Sequence, residues 1–174
     1  MSKQGKVPHT ISLIGMPGAG KSTVGVILAK LTGQRFADTD LDIQLREQAT
    51  LQEILESEGH LRLRQIEEEV VLACDLDHAV ISTGGSVVYS ETGMRRLAAA
   101  GPVVYLTADL ATLEQRVSAA PLRGIASGST QSFADIYAER TPLYQRYADL
   151  SVDATAGTAD QVAAQILDQL TLQR

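Results

Sequence analysis

The sequence predicts an α/β domain built around a mostly parallel sheet. Short apolar runs of strand character alternate with segments of helical periodicity along the chain. Strands that alternate with helices favour parallel pairing, because each helix carries the chain back across the sheet. The 174 residues, 44% of them apolar, suffice for one ordinary core. We therefore predict a single domain over residues 1–174.

Five short apolar runs are the predicted strands. Each is bounded by polar or turn-forming residues, as is typical of strands inside a parallel sheet. Ligands of such sheets bind beyond the carboxyl ends of the strands. The runs are TISLIG at 10–15, QRFAD at 34–38, AVIST at 79–83, PVVYLT at 102–107 and LSVDA at 150–154.

Helical patterns fill the intervals between these runs. Thr50 and Glu53 have the spacing of a capping box, and that helix should end at Gly59. The next segment, RLRQIEEEVVLACDL, places Leu63 and Ile66 on one apolar face. The remaining predicted helices lie at 21–32, 91–100, 109–118, 132–147 and 159–171.

Composition and charge restrict the kind of partner. A net charge of −6 argues against nonspecific binding to nucleic acid or to anionic membranes. No run approaches the roughly 18 apolar residues of a membrane span, and MSKQGKVPHT lacks the apolar core of a signal peptide. The single cysteine, Cys74, cannot form an internal disulfide. We expect a cytoplasmic monomer that binds neither nucleic acid nor membrane.

The stretch GMPGAGKST at 15–23 fits the phosphate-binding pattern G-x-x-x-x-G-K-[ST] at every fixed position. Gly18 and Gly20 allow the backbone to curl so that its N–H groups point at phosphate oxygens. Lys21 carries charge toward the β- and γ-phosphates, and Ser22 offers a hydroxyl to Mg²⁺. The pattern predicts an ATP or GTP site. Its nucleotide-binding residues are Gly18, Ala19, Gly20, Lys21, Ser22 and Thr23.

Two aspartates follow the second predicted strand, in RFADTDLDIQ. Their two-residue spacing in an extended segment would place both carboxylates on one face, near the glycine loop. Asp38 is suited to hold Mg²⁺ through water, and Asp40 is suited to accept a proton from an attacking hydroxyl. The competing interpretation is an ordinary helix cap and a loop acid.

Two further elements offer groups for an acceptor molecule. STGGSV at 82–87 ends the third strand with two glycines, and such a turn lets a ligand approach the backbone closely. Arg64 and Arg140 carry guanidinium groups that can hold a carboxylate by two parallel hydrogen bonds. Glu67 and Glu68 are placed to steady Arg64. A solvated helix face and a structural ion pair are the competing interpretations for the two arginines.

These motifs resemble those of the shikimate kinases, within the larger group of P-loop small-molecule and nucleoside monophosphate kinases. The resemblance covers about residues 8–170. GMPGAGKSTVG resembles that family's phosphate loop, FADTD its F-x-D-x-D motif and TGGS its triple-glycine motif. EGHLRLRQIE is similar to its G-E-x-x-F-R-x-x-E motif, and ERTPLY to its R-x-P-L-Y motif.

The resemblance implies a three-layer P-loop kinase fold, in which a central five-stranded parallel sheet is flanked by helices. It also implies a mobile lid at about 118–131 and a substrate-binding helical region at about 41–76. The implied activity is ATP-dependent phosphoryl transfer to the 3-hydroxyl of shikimate, with ATP and Mg²⁺ as cofactors. The products would be shikimate 3-phosphate and ADP.

The resemblance also assigns roles on the acceptor side. Asp40 would bind shikimate hydroxyls beside the attacking oxygen. Arg64 and Arg140 would hold the carboxylate. Gly84 and Gly85 would contact the ring through backbone N–H groups.

On the nucleotide side, Arg116 matches an arginine expected near adenine. The family's lid has an arginine directly before a proline, where this chain has Ala120. We predict that Arg123, three residues downstream, has taken over this catalytic role, because a closing loop can bring an arginine to the transferred group.

Three more departures fall in the acceptor elements. His60 stands where the family has glutamate, Leu63 replaces its phenylalanine, and Ser86 replaces the third glycine. Two alternatives therefore stay open beside shikimate. One is a kinase of the same fold with another small polyol or hydroxy-acid acceptor, and the other is a noncatalytic nucleotide sensor.

Overall fold

The computed structural model describes residues 7–120, 124–126, 128 and 130–172. All five predicted strands are present and pair in parallel in one sheet. They are β1 (Ile11–Ile14), β2 (Arg35–Asp38), β3 (Ala79–Ser82), β4 (Val103–Thr107) and β5 (Leu150–Asp153). The strand order is β2-β3-β1-β4-β5. The predicted α/β class and five-stranded parallel sheet are confirmed.

Helices flank the sheet at close to the predicted positions. The helix that was expected to end at Gly59 continues beyond it as one long helix, interrupted at Gly59 by a kink with a φ of 83°. The predicted capping box of Thr50 and Glu53 is also formed at the start of that helix. The helices are α1 (Lys21–Thr32), α2 (Thr39–Glu47), α3 (Leu51–Ala73), α4 (Glu91–Ala100), α5 (Leu110–Ala119), α6 (Phe133–Tyr147) and α7 (Ala159–Leu172), with a short 3₁₀ helix at Val87–Tyr89.

Helix α2 was expected only as part of the helical region at about 41–76 that the family resemblance implies, and its start differs from the prediction. Helix α2 begins at Thr39, directly after β2, so the extended segment expected through Asp40 is wrong. Asp38 ends the strand and caps the helix, because its Oδ1 accepts the backbone N–H of Asp40 at 3.0 Å. This local bond favours a helix start over a longer strand.

The apolar residues form two clusters. The larger one is the sheet core, in which every residue of β1 and β3 is buried, as expected for strands covered on both faces. The smaller one joins α2 and α3 to the lid segment and contains Ile43, Ile54, Leu63, Ile66, Val70 and Ala126. Within the described residues, no helix is long and apolar enough to cross a membrane.

The described part of the lid region lies against α3. Ala126 is 4% exposed, and a side chain on Gly124 would collide with the backbone of Leu51. Lid residues 121–123, 127 and 129 lie outside the described residues. The mobility of the lid stays a prediction.

Candidate active site

A cavity of about 280 Å³ opens where the sequence placed it, beyond the glycine loop that follows β1. The strand register explains its position, because Asp38 lies level with Ser82 across β2 and β3, and Ser82 lies level with Leu13 of β1. The carboxyl ends of three neighbouring strands therefore meet here. The predicted site residues that line the cavity are Gly18, Gly20, Lys21, Ser22, Thr23, Asp40, Gly84, Gly85, Arg116 and Arg140.

The glycine loop has the conformation that its sequence requires. Gly18 and Gly20 have φ angles of 86° and 90°, which L side chains rarely adopt. Gly20 is also the N-cap of α1 and provides no side-chain cap, so the first N–H groups of the helix are available to an anion. Ala19 is buried beneath the loop, and its N–H donates to the carbonyl of Met16 at 3.1 Å.

Lys21 is buried inside this loop. Its ammonium donates to the carbonyl oxygens of Gly15 at 2.8 Å and Met16 at 3.0 Å. Burial lowers the pKa of Lys21 to about 8, although the charges of Asp40 and Asp38 oppose the shift. A bound phosphate would add negative charge and favour the protonated lysine. Lys21 should therefore carry a full positive charge when a nucleotide is bound.

Ser22 and Asp38, the predicted magnesium ligands, are in contact. The hydroxyl of Ser22 donates to Oδ2 of Asp38 at 2.5 Å, and the hydroxyl of Ser82 lies 3.3 Å from that of Ser22. Mg²⁺ prefers hard oxygen ligands and keeps several waters, so one hydroxyl and one carboxylate beside a phosphate loop suit it. In the described ranges no group of three or more His, Cys, Asp or Glu side chains could hold a metal ion.

An acidic pair lies on the opposite wall of the cavity. A Cβ on Gly84 would collide with the carboxylate of Glu67 and fall 2.8 Å from Oδ1 of Asp40. A side chain at this position would have to displace these carboxylates, and the approach of a ligand to the glycine turn stays a prediction. Glu67 is 3% exposed and accepts a hydrogen bond from Ser86, while its Oε1 has no partner among the described residues. Burial, with the charge of Asp40 as the next cause, raises the pKa of Glu67 to about 7.

The two predicted carboxylate-binding arginines converge on one atom. The carbonyl oxygen of Ala126 accepts from Nε and Nη2 of Arg64 at 3.3 and 3.1 Å and from Nη2 of Arg140 at 2.8 Å. Arg140 is 1% exposed, and its Nε has no partner in the described part of the chain. A Cβ on Gly85 would fall 3.0 Å from Nη1 of Arg140, so the glycine turn reaches this point too.

The expected support of Arg64 by neighbouring glutamates is wrong. Glu67 and Glu68 accept hydrogen bonds from Ser86 and Ser90 instead, and neither forms an ion pair with Arg64. The guanidinium lies over the ring of Tyr89, 3.8 Å from its centroid. Sequence reasoning missed this tyrosine because nothing in the local pattern marks it. It missed the role of Glu67 as well, although a glutamate three residues after a site arginine was a usable signal.

Two arginines were predicted for the nucleotide side. Arg116 is exposed at the end of α5 and donates to the carbonyl of Gly18 at 3.1 Å, so it does border the phosphate loop. Arg123 lies outside the described residues.

Fold and site define a class of protein, the P-loop kinases of small molecules. The comparisons give the family. The shikimate kinase family model matches residues 17–171. A shikimate kinase of Mycobacterium avium is 38% identical over 161 residues, which is 91% of each chain. One of Coxiella burnetii is 38% identical over 163 residues, with 90% of each chain covered.

The solved structures agree. The shikimate kinase of Acinetobacter baumannii in complex with shikimate has a TM-score of 0.85 and 30% identity, covering 97% of this chain and 96% of that one. The present chain belongs to the shikimate kinase family, and it is an ATP-dependent small-molecule kinase.

Proposed function

We propose that this chain transfers the γ-phosphoryl group of ATP to the 3-hydroxyl of shikimate. The observation that carries the proposal is the convergence of Arg64 and Arg140 on the carbonyl oxygen of Ala126. Ala126 and Arg140 line the cavity together with Lys21 and Asp40. Two guanidinium groups aimed at one point suit a carboxylate, and an opposing carboxylate suits ring hydroxyls. Shikimate has both groups, and membership in the family supports it as the acceptor.

The chain acts mainly by placement and charge, because phosphoryl transfer needs little covalent help from a protein. Lys21 and the N–H groups at the start of α1 would hold the phosphates and stabilise the charge of the transferred group. Ser22 and Asp38 would hold Mg²⁺, whose charge neutralises the phosphate oxygens when it is bound. Asp40 would orient the attacking hydroxyl and accept its proton.

The remaining predicted residues complete the two subsites. Gly84 and Gly85 would bring backbone groups close to the acceptor ring, which fits the lack of room for a side chain at either position. Arg116 would lie along the nucleotide, next to Gly18. Arg123 would enter from the lid and stabilise the charge on the transferred group.

The test is ADP release measured with a coupled assay over a panel of hydroxy acids and polyols. We expect release that depends on added shikimate, with analogues lacking the carboxylate rejected. Lys21→Ala should lower turnover by orders of magnitude, because it removes a charge that matters most in the transition state. Faster ADP release with a different hydroxy acid would identify that compound, and not shikimate, as the acceptor. Nucleotide binding without any acceptor-dependent turnover would identify a sensor.

A further inference from the structure

Arg64 needs a support that the sequence motifs do not provide. An arginine side chain loses about 2 kcal/mol of rotamer entropy when it is fixed, so an acceptor must meet that cost unless the protein already holds the group. The guanidinium has two described contacts, the carbonyl of Ala126 and the ring of Tyr89. An acceptor carboxylate would take the place of the carbonyl. The ring would then remain as the contact that holds the guanidinium.

Tyr89 is itself held firmly. It ends the 3₁₀ helix Val87–Tyr89, and the two residues before it are buried in the main core. Its hydroxyl donates to Glu139 of α6, which also accepts from Gln131 at 2.8 Å. The ring is therefore fixed at its backbone end beside the glycine turn and at its hydroxyl end on α6.

The same ring serves both arginines. Cζ of Arg140 lies 5.4 Å from the centroid of Tyr89, within the range of a cation–π contact. Arg140 follows Glu139 directly in α6, so the hydroxyl bond of Tyr89 fixes the ring relative to the helix that carries this arginine. One aromatic side chain thus sets the spacing of two guanidinium groups that start from different helices.

An aromatic face has an advantage over a carboxylate in this position. The N–H donors of a guanidinium point outward in its plane, so a ring stacked on its face leaves them free for an anion. A glutamate would occupy some of those donors and cancel charge that the acceptor carboxylate needs. The ring holds the cation without neutralising it.

We propose that Tyr89 is a positioning residue for the acceptor carboxylate, because its ring holds the guanidinium of Arg64 beside that of Arg140. The inference rests on the proposed function, in which these arginines bind that carboxylate. It assigns part of the acceptor affinity to a residue that does not touch the acceptor.

The test compares Tyr89→Leu with Tyr89→Phe in steady-state kinetics. Tyr89→Leu should raise KM for shikimate roughly 3- to 30-fold, the range of a cation–π contact expressed as an affinity ratio. KM for ATP and kcat should stay within about twofold of the wild-type values, because none of the residues assigned to the nucleotide contacts this ring. Tyr89→Phe keeps the ring and should restore most of the shikimate affinity. The matched control is Tyr147→Leu, which removes a tyrosine near Arg146 on α6, away from the cavity.

A double-mutant cycle separates positioning from general destabilisation. In the Arg64→Ala background, Tyr89→Leu should raise KM for shikimate much less than in wild type, because its main partner is gone. Equal effects in both backgrounds, or equal increases in KM for ATP and shikimate, would overturn the proposal. So would an unchanged shikimate KM in a folded Tyr89→Leu protein. If wild type neither phosphorylates nor binds shikimate, the proposed function itself is wrong, and this inference is overturned with it.

Discussion

Glu67→Gln should remove a pH-dependent cost of folding. Glu67 is 3% exposed, and its pKa is raised from 4.5 to about 7, first by burial and then by the charge of Asp40. The protonated carboxyl is therefore favoured in the folded protein. The stability that this preference contributes is present below pH 4.5 and is lost as the pH rises through 7. Glutamine has a similar shape and does not ionise.

The magnitude follows from the shift. The rise of the pKa from 4.5 to about 7 corresponds to about 3 kcal/mol, at 1.36 kcal/mol per pKa unit. Linkage places most of this loss of stability between pH 5 and pH 8, because the unfolded glutamate is already partly ionised at pH 5. Glu67→Gln should therefore gain roughly 2 to 3 kcal/mol of stability relative to wild type over that interval. Lys21 and Arg140 also face Glu67. Both residues are present in both proteins, so their own contributions to the stability difference largely cancel.

The assay is urea unfolding of both proteins, without ligands, at pH 5 and pH 8. Glu56→Gln replaces an exposed glutamate of the same helix and measures the effect of the substitution itself. A stability difference between Glu67→Gln and wild type that has the same value at both pH values would refute the reasoning. Such a result would mean that water or a shift of the side chain keeps Glu67 solvated.

Three predictions concern activity. Asp40→Asn should reduce turnover much more than acceptor affinity, measured as kcat against KM, whereas a loss of affinity alone would make Asp40 a binding residue only. Arg140→Ala should weaken acceptor binding by about 2 to 4 kcal/mol in calorimetry, the scale of a lost buried charge-assisted contact, and an equal loss for ATP would show that its subsite is misassigned. Arg123→Ala should cut turnover at least roughly a hundredfold, and arginine restored at Ala120 should recover part of it. A mild effect of Arg123→Ala would indicate that another arginine, first Arg116, closes the site.

The strands, the main helices and the glycine loop could be predicted from the sequence, because each is marked by a local sequence pattern. The strands are short apolar runs, and the loop after β1 follows a pattern in which each position has its own physical reason. The start of helix α2 was missed because it depends on one capping bond, between Asp38 and the N–H of Asp40. A two-residue spacing of aspartates does not distinguish such a helix start from a strand. Asp40 nevertheless lines the cavity. The predicted extended backbone and the observed helix start both leave this residue at the carboxyl end of β2.

The contacts across the site could not be predicted in the same way. Tyr89 meets Arg64 from an element 25 positions later in the chain, and Ser86 meets Glu67 across the floor of the cavity. Such pairs depend on how α3 packs beside the glycine turn, which no single stretch of sequence encodes. The departures from the family pattern were the useful signal here, since Ser86 proved to be the hydrogen-bond partner of Glu67, a buried acid of the site whose pKa is raised.

The carbonyl of Ala126 gives the proposed carboxylate site an internal competitor. An acceptor cannot use all the donors of Arg64 and Arg140 while the chain's own peptide group occupies them. The apparent affinity then falls with the fraction of molecules in which the peptide is seated. That fraction depends on the small cluster to which both Ala126 and Leu63 belong. Leu63, which stands in place of the family's phenylalanine and also lines the cavity, thus gives the chain a second way to set the shikimate concentration that it needs.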